Sequence, residues 1–161
     1  MSISLAAAPN FAYKDAGQTD VTGSLSALQK QAIAATQIQI NVVADPGNQN
    51  NGSAVWTYTV PDKVFDFLAA GETLTLTYIV RVDTNFTVSP ESRLVPITIT
   101  ITGTNDKPTV TTSGGTVIEL VGTGNQALST ITGTVTFTDV DLTDRPIAIS
   151  HGGSPVHEIL A

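Results

Sequence analysis

The chain contains no cysteine. That excludes disulfides, thiolate metal sites and thiol nucleophiles, and with them the small disulfide-stapled scaffolds, though not secretion itself. Charge is scarce as well: charged residues make up 13% of the 161, against roughly a quarter in ordinary globular domains. Seven Lys and Arg lie scattered among fourteen Asp and Glu, for a net charge of −7. Without a basic patch such a surface repels phosphate backbones, so no nucleic-acid partner is expected. No stretch approaches the roughly 18 consecutive apolar residues of a membrane-spanning helix, so no membrane span is expected. The opening "MSISLAAAPNF" lacks both the positive n-region and the long apolar run of a secretory signal. Met1 reads as a start placed inside a longer protein.

Thr, Ser, Asn, Gln and Gly take the place of charge, and hydrophobic residues still reach 41%, enough for a core. The length fits one domain, or one plus a fragment of a second. The dominant period is two. "AVWTYTV" (54–60), "TLTLTYIVRV" (73–82), "VPITITIT" (95–102) and "TVTFTDV" (134–140) alternate apolar and polar residues, the pattern of strands with one buried face. Leu74, Leu76, Tyr78 and Val80 share one face of the second run, and Ile97, Ile99 and Ile101 one face of the third. Strands of this length between Gly, Pro and Asn clusters predict an all-β antiparallel β-sandwich.

One segment departs from that period. "SLSALQKQAIAAT" (24–36) sets Leu25, Leu28, Ala32 and Ile33 at helical spacing. Ser26 with Gln29 matches a capping box, and Leu25 precedes it as a hydrophobic staple. One short helix is expected over about 24–36. "ADPGNQNNGS" (44–53) follows as a polar loop, with Pro46-Gly47 and Asn51-Gly52 as turn signals. Asn51-Gly52-Ser53 and Asn85-Phe86-Thr87 fit the glycosylation sequon and are read as turns.

A strand that ends "ITITITGTNDKPTV" (97–110) passes into a new apolar run with no loop between. "ISLAAAP" (3–9) and "ISHGGSP" (149–155) share Ile-Ser and a Pro at equal spacing. The simplest reading is a chain that begins partway through one repeat and stops partway through the next. Residues 1–105 would be most of one sandwich, 106–108 a short linker, and 109–161 the opening part of a second.

Four stretches, "WTYTV", "FDFLAAGETLTLTYIVRVD", "TITITGTNDKPTV" and "GTVTFTDVDLTDRP", resemble the VCBS repeat of very long bacterial surface adhesins. The resemblance covers nearly all of the chain beyond its first twenty residues. It implies an immunoglobulin-like or cadherin-like sandwich strung in tandem with copies of itself. It further implies export, display at the bacterial cell surface, and a part in adhesion and biofilm. The expected partners are neighbouring repeats of the same chain, with self-association through the truncated repeat as a further possibility.

The acidic residues suit a hard cation, since Ca²⁺ takes about six to eight oxygens from carboxylates, amide carbonyls and water. Asp139 and Asp141 stand at i and i+2, on one side of an extended strand. The remaining oxygens would come from Asn105 and Asp106 at the linker, with Glu119 and Asp83 as further candidates, an arrangement that resembles the shared ion sites of cadherins. Against this stands a plainer reading: Asx residues before Pro form turns, and acidic residues at a strand end block edge pairing.

Trp56 is expected to be a core pillar and Phe65 and Phe67, flanking Asp66, to cap the sandwich. Were Trp56, Tyr58 or Tyr78 exposed, a carbohydrate-binding module contacting a surface glycan would be the alternative. A second alternative is an accessory domain of a secreted hydrolase. No catalytic constellation is expected: His151 and His157 sit in the tail beside Ser150, Ser154 and Glu158 without a nucleophile elbow or a trusted zinc spacing.

Overall fold

The computed structural model describes residues 2–43, 52–83, 91–122, 124, 128–145 and 147–149. The Pro46-Gly47 turn, both sequons in whole or part, and His151 and His157 lie outside the described residues. The chain divides into two compact units: Met1–Asp106 together with Val140–Thr143, and Lys107–Asp139 together with Asp144–Ala161.

In the first unit the alternating run around Leu74 becomes the central strand. Strands β1 (Ser2–Leu5), β2 (Asn10–Lys14), β3 (Ile38–Val43), β4 (Ser53–Tyr58), β5 (Thr73–Asp83) and β6 (Ser92–Thr102) are joined by one helix, α1 (Ala27–Ala34). β6 pairs with β5 along its whole length, from Thr73 opposite Thr102 to Asp83 opposite Ser92. The other edge of β5 is shared end to end by β2 (Asn10 opposite Thr77) and β1 (Leu5 opposite Val80). β3 and β4 form a separate antiparallel pair, with Ile38 opposite Tyr58.

Period two decides which side is buried. Leu74, Leu76 and Tyr78 are fully buried and Val80 nearly so, while their cross-strand partners Ile101, Ile99, Ile97 and Val95 extend the same face outward. Ile38, Ile40 and Tyr58 from the second sheet, Ile33 and Leu25 from the helical segment, and Phe65, Phe67 and Leu68 close over that face. The result is the expected all-β sandwich: two antiparallel sheets over one core, with one short α-helix among the described residues. Burying one Leu or Ile side chain of this kind contributes about 1.5–3 kcal/mol.

The helix forms as its capping residues predict. Ser26 Oγ accepts the Gln29 N–H at 3.2 Å, and Gln29 Oε1 accepts the Ser26 N–H at 2.8 Å. Leu25 and Ile33 are buried, but Leu28 is 78% exposed, so the inward face runs through Ile33 and not through Leu28 and Ala32. At the helix end Thr36 Oγ1 bonds the Ile33 carbonyl at 2.7 Å and the Tyr78 hydroxyl at 2.8 Å, tying helix to sheet.

Trp56 corrects an expectation: it is 44% exposed. Among the described residues the β3–β4 sheet has two strands, and Trp56 stands opposite Ile40 in it. From that pair Ile38, Ile40 and Tyr58 join the core cluster, and Trp56 does not. Phe65 and Phe67 are buried as expected, the latter edge-on to Tyr13 with ring centroids 5.5 Å apart.

The second unit contains β7 (Thr109–Thr112) and β8 (Val135–Thr138), paired antiparallel with Val110 opposite Phe137. Every residue of both strands is exposed.

Candidate metal site at the acidic end of the first unit

β6 leaves the sheet at Gly103, whose N–H still donates to the Glu72 carbonyl at 2.9 Å. A Cβ at Gly103 would lie 2.3 Å from the Ala69 carbonyl oxygen and 2.4 Å from that of Leu68. The strand ends in glycine because the backbone of Leu68–Ala69 passes directly against it. Just ahead lies the turn Ala69–Glu72, closed by the Glu72 N–H on the Ala69 carbonyl at 3.1 Å. Gly71 sits there at φ +80, the left-handed conformation that a type II turn demands of its third residue.

Past Gly103 the chain is fixed by side chains. Asn105 Nδ2 donates to the Asp106 carbonyl at 2.7 Å, and Asp141 Oδ2 accepts the Asp106 N–H at 3.0 Å. Asp141 is buried, at 3% exposure. The segment around it is held twice more within the same unit: the Leu142 N–H donates to the Phe67 carbonyl at 2.9 Å, and Thr143 Oγ1 donates to Glu72 Oε1 at 2.6 Å.

Glu72 is the hub of this end. It is 1% exposed, and its other oxygen accepts the Tyr13 hydroxyl and the Ala69 N–H. Three donors from separate parts of the chain thus satisfy one buried carboxylate, which is what a buried charge requires. Burial, followed by the bond to Glu72 and its negative charge, pushes the Tyr13 phenol well above its ordinary value.

Of the clustered aspartates in the sequence, Asp141 belongs to the first unit and Asp139 and Asp144 to the second. β8 ends at Thr138, and the chain bends through residues 141–143, so Asp139 and Asp141 do not form the extended i, i+2 pair expected. A cleft of about 110 Å³ beside Gly103 is lined by Asp62, Asp66 and Asp106. Asp62 and Asp66 had no place among the expected ligands; Asp66 drew notice only through the phenylalanines around it.

The other two candidates stand apart. Asp83 lies at the far end of β5 from Thr73, the residue that pairs with Thr102. Ten steps of strand put about 33 Å between them, so Asp83 cannot join Asn105 and Asp106, and its carboxylate instead takes Arg81 Nε at 2.8 Å. Glu119 is exposed on an irregular stretch of the second unit.

Sequence reasoning missed Glu72 although "LAAGE" stood in a noted motif. A Glu that follows a Gly turn and opens a strand on the core face, in register with Leu74 and Leu76, is the signal that could have found it.

Comparison of the chain with protein-family models, with curated proteins and with solved structures gives no match.

Proposed function

We propose that this chain is a non-enzymatic structural repeat of a large secreted bacterial surface adhesin, a spacer stiffened by Ca²⁺ that serves cell adhesion and biofilm. Its neighbours would be further repeats of immunoglobulin-like or cadherin-like topology, and its place the outside of the cell. Support comes from the motif resemblance, carried by residues alone, together with the antiparallel sandwich on which the first two of those motifs and most of the third lie.

The observation that carries the reading is the convergence of acidic residues where β6 ends. Asp106 is fixed by the buried carboxylate of Asp141, and it lines one cleft together with Asp62 and Asp66. Acidic clusters often exist without an ion, so convergence alone names no ligand. The donor set, carboxylates beside amide oxygens and no thiolate or imidazole, suits Ca²⁺ rather than a softer metal. Ca²⁺ would neutralise the mutual repulsion of these groups and so rigidify the end of the repeat.

The test is a thermal melt in excess EDTA and again in millimolar Ca²⁺ at equal ionic strength. A ligand that binds only the native state raises stability by mass action. The expected outcome is a higher Tm in Ca²⁺, reversed by chelator and absent in Asp106→Asn. Superimposable melts sink the metal and leave a structural repeat without a switch.

A second reading has one observation in its favour. Trp56, 44% exposed on β4, offers a ring face to a sugar, as a carbohydrate-binding module would. Tyr78 is fully buried and Tyr58 half-buried, so a platform there would rest on a single ring. A glycan array probed with the wild type and with Trp56→Ala separates the two readings.

A further inference from the structure

The outer edge of β6 has a defined hydrogen-bonding phase. Odd-numbered residues of β6 face β5, as the Gly103 N–H on Glu72 continues to do, so the main-chain groups of Leu94, Pro96, Thr98, Thr100 and Thr102 point away from the sheet. No strand pairs with that edge among the described residues. Proline has no N–H, and its even position means that Pro96 removes nothing from the β5 ladder. It does silence the outer edge at one end. At the other end the strand stops at Gly103, pressed against Leu68–Ala69. Between them Thr98, Thr100 and Thr102 present donors and acceptors.

Edge strands are commonly guarded by Lys, Glu, Pro or a covering element. Here the run from Leu94 to Asn105 carries no charge at all, and Pro96 guards only its start.

We propose that this edge pairs with the same edge of a second copy of the chain, antiparallel across a two-fold axis through Thr100. Two features of the sequence select that register. With Thr100 opposite Thr100, Thr98 meets Thr102 and Ile99 meets Ile101, so like faces like on both sides of the extended sheet, and Thr–Thr and aliphatic cross-strand pairs are favourable. Pro96 falls opposite Thr104, beyond the paired window, and about six main-chain bonds form. A shift of one pair toward the strand's start sets Pro96 against Thr102 and loses a donor. The first charges outside the window are Arg93 on one side and Asp106 on the other. In that register Arg93 of each copy falls opposite Lys107 of the other, with Asp106 one position nearer the axis, so each flank carries both signs and the register is left to the uncharged window. Such an interface is isologous and joins molecules by strand addition. It does not depend on the adhesin reading, though lateral pairing of surface-borne chains would suit it.

An edge this short belongs to the small, weak end of interface sizes, so the experiment is sedimentation velocity over a concentration series up to the solubility limit. The wild type is expected to show a reversible, concentration-dependent dimer. Thr100→Pro removes an outward N–H and leaves the β5 ladder intact; Thr100→Lys keeps the N–H and sets two like charges face to face across the axis. Both are expected to sediment as monomers, the second with a wild-type melting curve. An equimolar mixture of Thr100→Lys and Thr100→Asp is expected to restore a one-to-one dimer. A wild type that remains monomeric throughout, a dimer that survives Thr100→Lys, or a mixture that stays monomeric overturns the proposal.

Discussion

Asp141 accepts the backbone N–H of Asp106 at 3.0 Å although 35 positions separate the two, and it does so while almost fully buried. The contact gives one carboxylate two possible roles. It can act as a hydrogen-bond acceptor that fixes the end of β6, or as a charge that attracts a cation.

Asparagine and alanine divide those roles. Asp141→Asn keeps an oxygen for the Asp106 N–H, so its stability should stay within about 1 kcal/mol of wild type. Asp141→Ala leaves that N–H without its acceptor and should cost about 1.5–3 kcal/mol. Urea denaturation in EDTA measures both. In Ca²⁺ neither variant should gain the wild-type increment. An Asn variant as unstable as Ala in EDTA would mean that the charge itself, not the acceptor, holds this end.

Glu72 should be among the least replaceable residues of the chain. Its carboxylate is the acceptor for Tyr13, Ala69 and Thr143, so Glu72→Ala orphans donors from three parts of the first unit. A loss of about 3 kcal/mol or more is expected, seen as a lowered urea midpoint. Glu72→Gln should fall between, because its NH₂ confronts a donor where an oxygen stood.

The strands, their buried faces and the capping box were legible in the sequence because each is a local pattern. Leu74, Leu76 and Tyr78 alternate, and Ser26 and Gln29 stand three apart; chain geometry does the rest. Glu72 was not legible, because its partners Tyr13 and Thr143 lie 59 and 71 positions away and no period encodes them. Asp141 was noticed for its charge, but its burial follows from docking on Phe67 and Asp106, which no spacing shows. Trp56 was misjudged for a related reason. Alternation tells which face a residue joins, while the elements packed against that face decide whether it is covered. Asp83 was grouped with Asn105 by type alone, and strand length separates them.

Gly103→Ala tests the close approach at the strand end. The added methyl would meet two carbonyl oxygens inside 2.5 Å, and backbone cannot rotate away as a side chain can. A loss of about 1–3 kcal/mol is expected. Gly23→Ala is the control, since nothing lies within 4 Å of a Cβ there. Equal Tm values for the two variants would show that Leu68–Ala69 yields easily.

The helix makes a paired test. Leu28 is 78% exposed and Ile33 fully buried, although both stand at apolar positions of one helical pattern. Ile33→Ala should cost about 2–5 kcal/mol. Leu28→Ala should stay within about 0.5 kcal/mol of wild type. Comparable losses from both would mean that Leu28 is covered in solution.

Tyr13 predicts the alkaline limit of stability. Burial, then the bond to Glu72 and its negative charge, raises the phenol above its ordinary value of 10.0. A raised value in the folded state means that the folded protein holds this proton more tightly than the unfolded chain. The stabilisation is therefore complete below pH 10 and is lost as pH rises beyond it, at up to about 1.4 kcal/mol per pH unit for one proton. The Tyr58 phenol, raised chiefly by burial, acts in the same direction and stays in any Tyr13 variant. Tyr13→Phe should thus be less stable at neutral pH by about 1.5–3 kcal/mol, for want of a donor to Glu72. Above pH 10 its stability should fall less steeply than that of the wild type, by about one proton's worth of slope. Urea midpoints between pH 8 and pH 11 measure both. Parallel curves for the two proteins would place the alkaline transition elsewhere and leave Tyr13 a packing residue alone.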